Sequence, residues 1–108
     1  MAAAAQVRGL EVLSPTAADP DFDVAWRDGH NRLTVSEVKS LTSDNETRQL
    51  RAGLGQVLDY QDQLQGRAAE VRALLWVERE PTEARWVSLC ERHGVILAWP
   101  GREADIFT

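Results

Sequence analysis

The chain has one cysteine, Cys90, and only two histidines, His30 and His93. A single thiol excludes an internal disulfide, and so few soft ligands exclude a Cys/His zinc cluster. A reducing, cytoplasmic setting is therefore the expectation. No apolar run approaches the ~20 residues that a membrane-crossing helix needs. The opening Met1-Ala2-Ala3-Ala4-Ala5 lacks a basic region and a long apolar core, so no secretory signal is expected there. Positive charge is also in deficit: 12 Lys and Arg face 17 Asp and Glu, a net charge of -5. That balance argues against bulk nucleic-acid binding, which leaves a basic footprint. The objection weakens if several carboxylates hold a cation, or if the domain is one module of a larger protein. Internal repeats, linkers and low-complexity tracts are missing as well.

What is present suits one domain with one modest core: 108 residues, 44% hydrophobic and 27% charged. Residues Ala2 to Arg8 have helix-forming composition but are few. Leu10 to Leu13 reads as a first strand, closed by Ser14-Pro15. Asp21 to Trp26 alternates, with Phe22, Val24 and Trp26 on one face and Asp21, Asp23 and Ala25 on the other. Aspartate is disfavoured inside strands, so two on one face call for solvent or a cation. The turn Asp28-Gly29-His30-Asn31 predicts a hairpin. Arg32 to Leu41 is the next strand. Its face with Leu33 and Val35 starts apolar and turns polar at Glu37 and Lys39.

Thr42-Ser43-Asp44-Asn45-Glu46 is expected to start a helix that runs to about Gln65 and stops at Gly66. Ser43 and Glu46 have capping-box spacing, and Asn45 is an alternative cap. Leu50, Leu54, Val57, Leu58 and Leu64 form an apolar stripe. A second stripe, again at helical spacing, contains Gln49, Gly53, Gln56, Tyr60 and Gln63. Gly53 and Gly55 each cost the helix ~1 kcal/mol relative to alanine, which suggests close approach of a backbone or ligand. Ala68 to Val77 reads as a buried strand. Pro81 opens a second helix with Thr82 as its cap, and His93-Gly94 ends it. Val95 to Trp99 is a last strand, parallel to the preceding one. The tail from Arg102 is expected to be peripheral. The order predicts an α/β fold: a mixed sheet, antiparallel meander then parallel strands, flanked by helices.

The chemistry concentrates in Ser36-Glu37-Val38-Lys39-Ser40. Glu37 and Lys39 leave one strand face ~6–7 Å apart along the chain. Asp23, on the neighbouring hairpin strand, is placed to clamp Mg²⁺ together with Glu37. The Val38 carbonyl is a reasonable third ligand. Such a hard cation on oxygen ligands supports phosphodiester hydrolysis. Lys39 would orient or activate water, or neutralise developing charge. Gln56 and Tyr60, on adjacent turns of one helix face, would hydrogen-bond the water, the lysine or a phosphate. Asp21 shares the face of Asp23, which is preferred because it lies inside the apolar pattern.

This ordered set resembles the PD-(D/E)XK nuclease superfamily, and within it the RecB-like branch with a Q-x-x-x-Y helix motif. Asp23 matches the strand aspartate, Glu37-Val38-Lys39 the (D/E)-x-K element, and Gln56 to Tyr60 the Q-x-x-x-Y. The likeness covers roughly Leu10 to Trp99. It implies a restriction-endonuclease-like core and a Mg²⁺-dependent nuclease, Mn²⁺ substituting, that acts on DNA and less often RNA. It also implies catalytic roles for Asp23, Glu37, Lys39, Gln56 and Tyr60. Its helix before the first strand is shorter here than in the family.

Asn45, Arg48, Gln49 and Arg51, at the start of the long helix, are candidates to contact the nucleic acid. His30 is expected to be exposed in its turn and His93 to sit at a helix C-terminus. Cys90, Trp76 and Trp99 read as packing residues. A homodimer or a larger multidomain protein is compatible with the pattern. So is a second function, a nuclease-like module that binds nucleic acid or a protein without cutting.

Overall fold

The hairpin turn shows how the local sequence shapes the fold. One Asp28 carboxylate oxygen accepts the backbone N–H groups of His30 (2.8 Å) and Arg32 (3.1 Å). The other oxygen pairs with the Arg32 Nε at 2.6 Å. Asn31 takes the left-handed conformation (φ 58°), which asparagine tolerates better than most residues. The turn joins β2 (Val24–Arg27) to β3 (Arg32–Lys39).

The structure is a computed structural model that describes residues 9–13 and 22–107. The other elements are β1 (Glu11–Leu13), α1 (Glu46–Gln63), β4 (Glu70–Val77), α2 (Arg85–Arg92), β5 (Val95–Ala98) and α3 (Glu103–Ile106). The five strands form one sheet in the order β1-β2-β3-β4-β5. β1, β2 and β3 are antiparallel; β3, β4 and β5 are parallel. The mixed α/β sheet expected from the sequence is therefore present. The expected helix over Ala2 to Arg8 lies outside the described residues, as does Asp21.

Alternation along the strands divides the core in two. Leu33, Val35, Ala73, Leu75 and Leu97 face Leu50 and Val57 of α1 and Trp86 and Cys90 of α2. Val24, Trp26, Leu74 and Ala98 face the other way, onto Ile106 of α3. Both long crossovers thus lie on one side of the sheet. Cys90 is fully buried, and burial pushes its thiol up to about 11, as suits a packing residue.

Several expectations need correction. β2 begins at Val24, so Phe22 escapes the alternation and packs into the helix-side core instead of beside Val24 and Trp26. Neither helix takes its expected cap. Asn45 precedes α1 without a side-chain cap bond, and its Oδ1 accepts the Thr42 N–H. Glu46, only 6% exposed, accepts the Thr82 N–H (3.0 Å) and pairs with Arg79 (2.9 Å). A tertiary partner outside each helix therefore takes Glu46 and Thr82, while a local turn takes Asn45. The tail is not peripheral, because Ile106 is completely buried and Phe107 lies 5.4 Å from the Trp26 ring.

Candidate functional site

The site is built where β2 and β3 part company. Asp23 lies just before β2, and its N–H donates to the Ser36 carbonyl at 3.2 Å. Its Oδ2 accepts the Val38 N–H at 2.8 Å. A side-chain oxygen thus takes the place that a strand carbonyl would fill, and the chain is free to turn away. Ser36 ties the strands together from behind, its Oγ donating to the Val24 carbonyl at 2.8 Å. The motif spacing assigns Ser36 no role; a small hydroxyl directly before Glu37 in a buried strand is the signal for one.

On the α1 side of the sheet, Glu37 comes within hydrogen-bond reach of the Asp23 carboxyl. Glu37 is 4% exposed, while Asp23 is open to solvent. Burial, then the hydrogen bond to Asp23, then the charge of Asp23 push the Glu37 carboxyl up to about 7. The Lys39 ammonium and the Val38 N–H pull it back only in part. Two carboxyl groups this close need a proton or a cation between them.

Lys39 is half-buried, and α1 holds it in place. A Cβ built on Gly53 would lie 3.1 Å from the Lys39 Cγ and 2.5 Å from the Leu75 Cδ1. The close approach at Gly53 comes from side chains, not from the expected backbone or ligand. At Gly55 nothing lies within 4 Å, and that expectation is corrected. From Gly53 the helix runs back along the sheet, and the Gln61 Nε2 reaches the Val71 carbonyl at 2.9 Å. At ~1.5 Å per helical residue and ~3.3 Å per strand residue, Gln56 falls roughly level with Glu37. Its Oε1 is buried without a hydrogen-bond partner. Tyr60 lies one turn deeper and belongs to the core, at 9% exposure.

The residues at the start of α1 divide into two groups. Asn45 is engaged in its own turn, and the Gln49 Nε2 reaches the Ser40 carbonyl at 3.4 Å. Both brace the segment leaving β3. Arg48 and Arg51 are exposed. At ~100° per residue they sit on the far side of the helix from Gly53, away from the carboxylate pair.

The donor set fits a hard divalent cation. Mg²⁺ typically takes one or two carboxylates and keeps several waters. Asp23 and Glu37 provide the carboxylates, the Val38 carbonyl adjoins them, and the exposure of Asp23 leaves a path from solvent. Among the described residues no group of three or more His, Cys, Asp or Glu side chains converges. Comparison with protein-family models, curated proteins and solved structures finds no match to this chain.

Proposed function

We propose that the chain is a Mg²⁺-dependent nuclease of the PD-(D/E)XK kind, hydrolysing phosphodiester bonds in DNA. The supporting observation is the meeting of the Asp23 and Glu37 carboxyls at the end of β3, with Lys39 two residues on. When bound between these carboxylates and the Val38 carbonyl, Mg²⁺ or Mn²⁺ would supply Lewis-acid stabilisation of charge on the phosphate. The rest falls to the chain's own groups. Lys39, its stem pinned against Gly53, presents an ammonium to the attacking water or the scissile phosphate. Gln56 offers its unpartnered Oε1 as an acceptor that orients a water or the Lys39 ammonium. Tyr60 supports this helix face from within the core.

Cleavage of single- and double-stranded DNA should require Mg²⁺ or Mn²⁺ and stop with chelator. Lys39→Ala should lower the rate ~10²–10⁴-fold with an unchanged melting temperature. Glu37→Ala should abolish divalent-ion binding in calorimetry. Undiminished cleavage by Lys39→Ala would defeat its catalytic assignment. A second reading, a nuclease-like module that binds without cutting, is favoured by the net charge of -5 and the two-carboxylate centre. Nucleic-acid or protein binding that survives Glu37→Ala, with no cleavage under any metal, would select it.

A further inference from the structure

The opposite face of the sheet carries a cleft of about 390 Å³ at the hairpin end. The strand register builds it. Trp26 pairs with Thr34, and Thr34 pairs with Arg72, so one row crosses β2, β3 and β4. Alternation places this row away from α1, on the side of Trp26 and Ile106. Arg32, two residues before Thr34, lines the same cleft, with Asp28 and His30 at the turn. Phe107 forms an apolar wall beside Trp26.

The charges here run against the rest of the molecule. Asp28 is the one lining carboxylate among the described residues, and Arg32 already pairs with it. The Arg72 side chain makes no hydrogen bond or ion pair among the described residues, and the residue is half-buried and lines the cleft. A guanidinium without a carboxylate partner is a ready anion contact, since its planar fork matches a phosphate or carboxylate. The volume falls in the range of small-molecule sites and exceeds what a lone inorganic ion fills. Leu10 and Phe107, both partly exposed, give the cleft an apolar side for a flat ring.

We infer that this cleft binds a small organic anion with a planar ring, of nucleoside monophosphate size, through Arg72, with Leu10 and Phe107 as the ring-facing side. This site is separate from the Asp23–Glu37 pair, which lies on the other face. The experiment is amide NMR titration of the whole chain in chelator, with adenosine 5′-monophosphate, benzoate, inorganic phosphate and neutral adenosine as probes.

A ring-bearing anion should shift resonances around Thr34, Arg72 and Phe107 saturably. The nucleotide and benzoate arms separate phosphate from carboxylate preference. Phosphate alone and adenosine alone should bind about ten-fold more weakly or worse. Arg72→Gln should weaken the ring-bearing anion ~10- to 100-fold at an unchanged melting temperature, with Arg72→Lys in between. Glu37→Gln should leave this binding intact, which distinguishes it from failure of the nuclease site. No saturable shift with any ring-bearing anion up to roughly 10 mM overturns the inference. So does binding that adenosine matches, that maps to Glu37, or that Arg72→Gln leaves unchanged.

Discussion

Gly53 and Gly55 sit two residues apart in α1, and the structure assigns them opposite responses to the same substitution. Alanine gains about 1 kcal/mol over glycine in a helix interior. At Gly55 the new methyl would meet nothing within 4 Å, so Gly55→Ala should keep that gain. At Gly53 it would press to 2.5 Å from the Leu75 Cδ1 and 3.1 Å from the Lys39 Cγ. Leu75 is completely buried, so either its Cδ1 shifts against packed neighbours or the helix lifts from the sheet. Overpacking of this kind costs about 1–3 kcal/mol. The propensity gain is common to both variants and cancels in the comparison. Gly53→Ala should therefore be about 1–3 kcal/mol less stable than Gly55→Ala. Each kcal/mol corresponds to roughly 4–8 °C in melting temperature for a domain of this size. Urea and thermal denaturation followed by circular dichroism would measure the gap. Equal stabilisation by the two substitutions would refute the close packing of α1 over Lys39, and with it the positioning of that lysine.

Asp28 and Glu46 each hold more than one partner. Burial alone would raise the Asp28 carboxyl, but hydrogen bonds from the Arg32 and His30 backbone, with the Arg32 guanidinium, hold it near about 2. Its folded value is thus depressed, so its contribution is present above about pH 4 and lost as pH falls toward 2. Asp28→Asn should flatten the acid limb of the stability curve in that window, as denaturant titrations at stepped pH would read; an unaltered limb would contradict the turn geometry. Glu46→Ala leaves the Arg79 guanidinium and the Thr82 N–H without their shared acceptor, and should cost about 1–2 kcal/mol, discounted because Thr82 reaches water. Hydrogen exchange should then quicken at Thr82 before it does in β4; uniform exchange would argue that the clamp is idle.

Much of this architecture was legible from local pattern. Alternation at Val24 and Trp26 and at Leu33 and Val35, the Asp-Gly-His-Asn turn, and the apolar stripe of α1 each follow from the period of a single element. Periodicity reports which face of an element is apolar, and that face must be buried. It also put Glu37 and Lys39 on one strand face, and the hairpin brought Asp23 toward them. What it could not report was the choice among competing partners. Glu46 looked like half of a capping box, yet it turns to Thr82 and Arg79, 36 and 33 residues away. Phe22 matched its strand in alternation, yet the chain bends at Asp23 and carries it to the opposite core. Ile106 sat in a short polar tail, yet it fills the far face of the sheet.

The amino-acid order by itself determined the elements, their apolar faces and the placing of Glu37 and Lys39 on one face of a strand. Only the tertiary structure decided that the Asp23 and Glu37 carboxyls meet, that Gln56 stands level with them unpartnered, and that Arg72 lines a cleft with Trp26 on the opposite face. The physical reason is range: backbone preference acts over a few residues, whereas these groupings depend on the register between strands and on how closely one helix can press on the sheet.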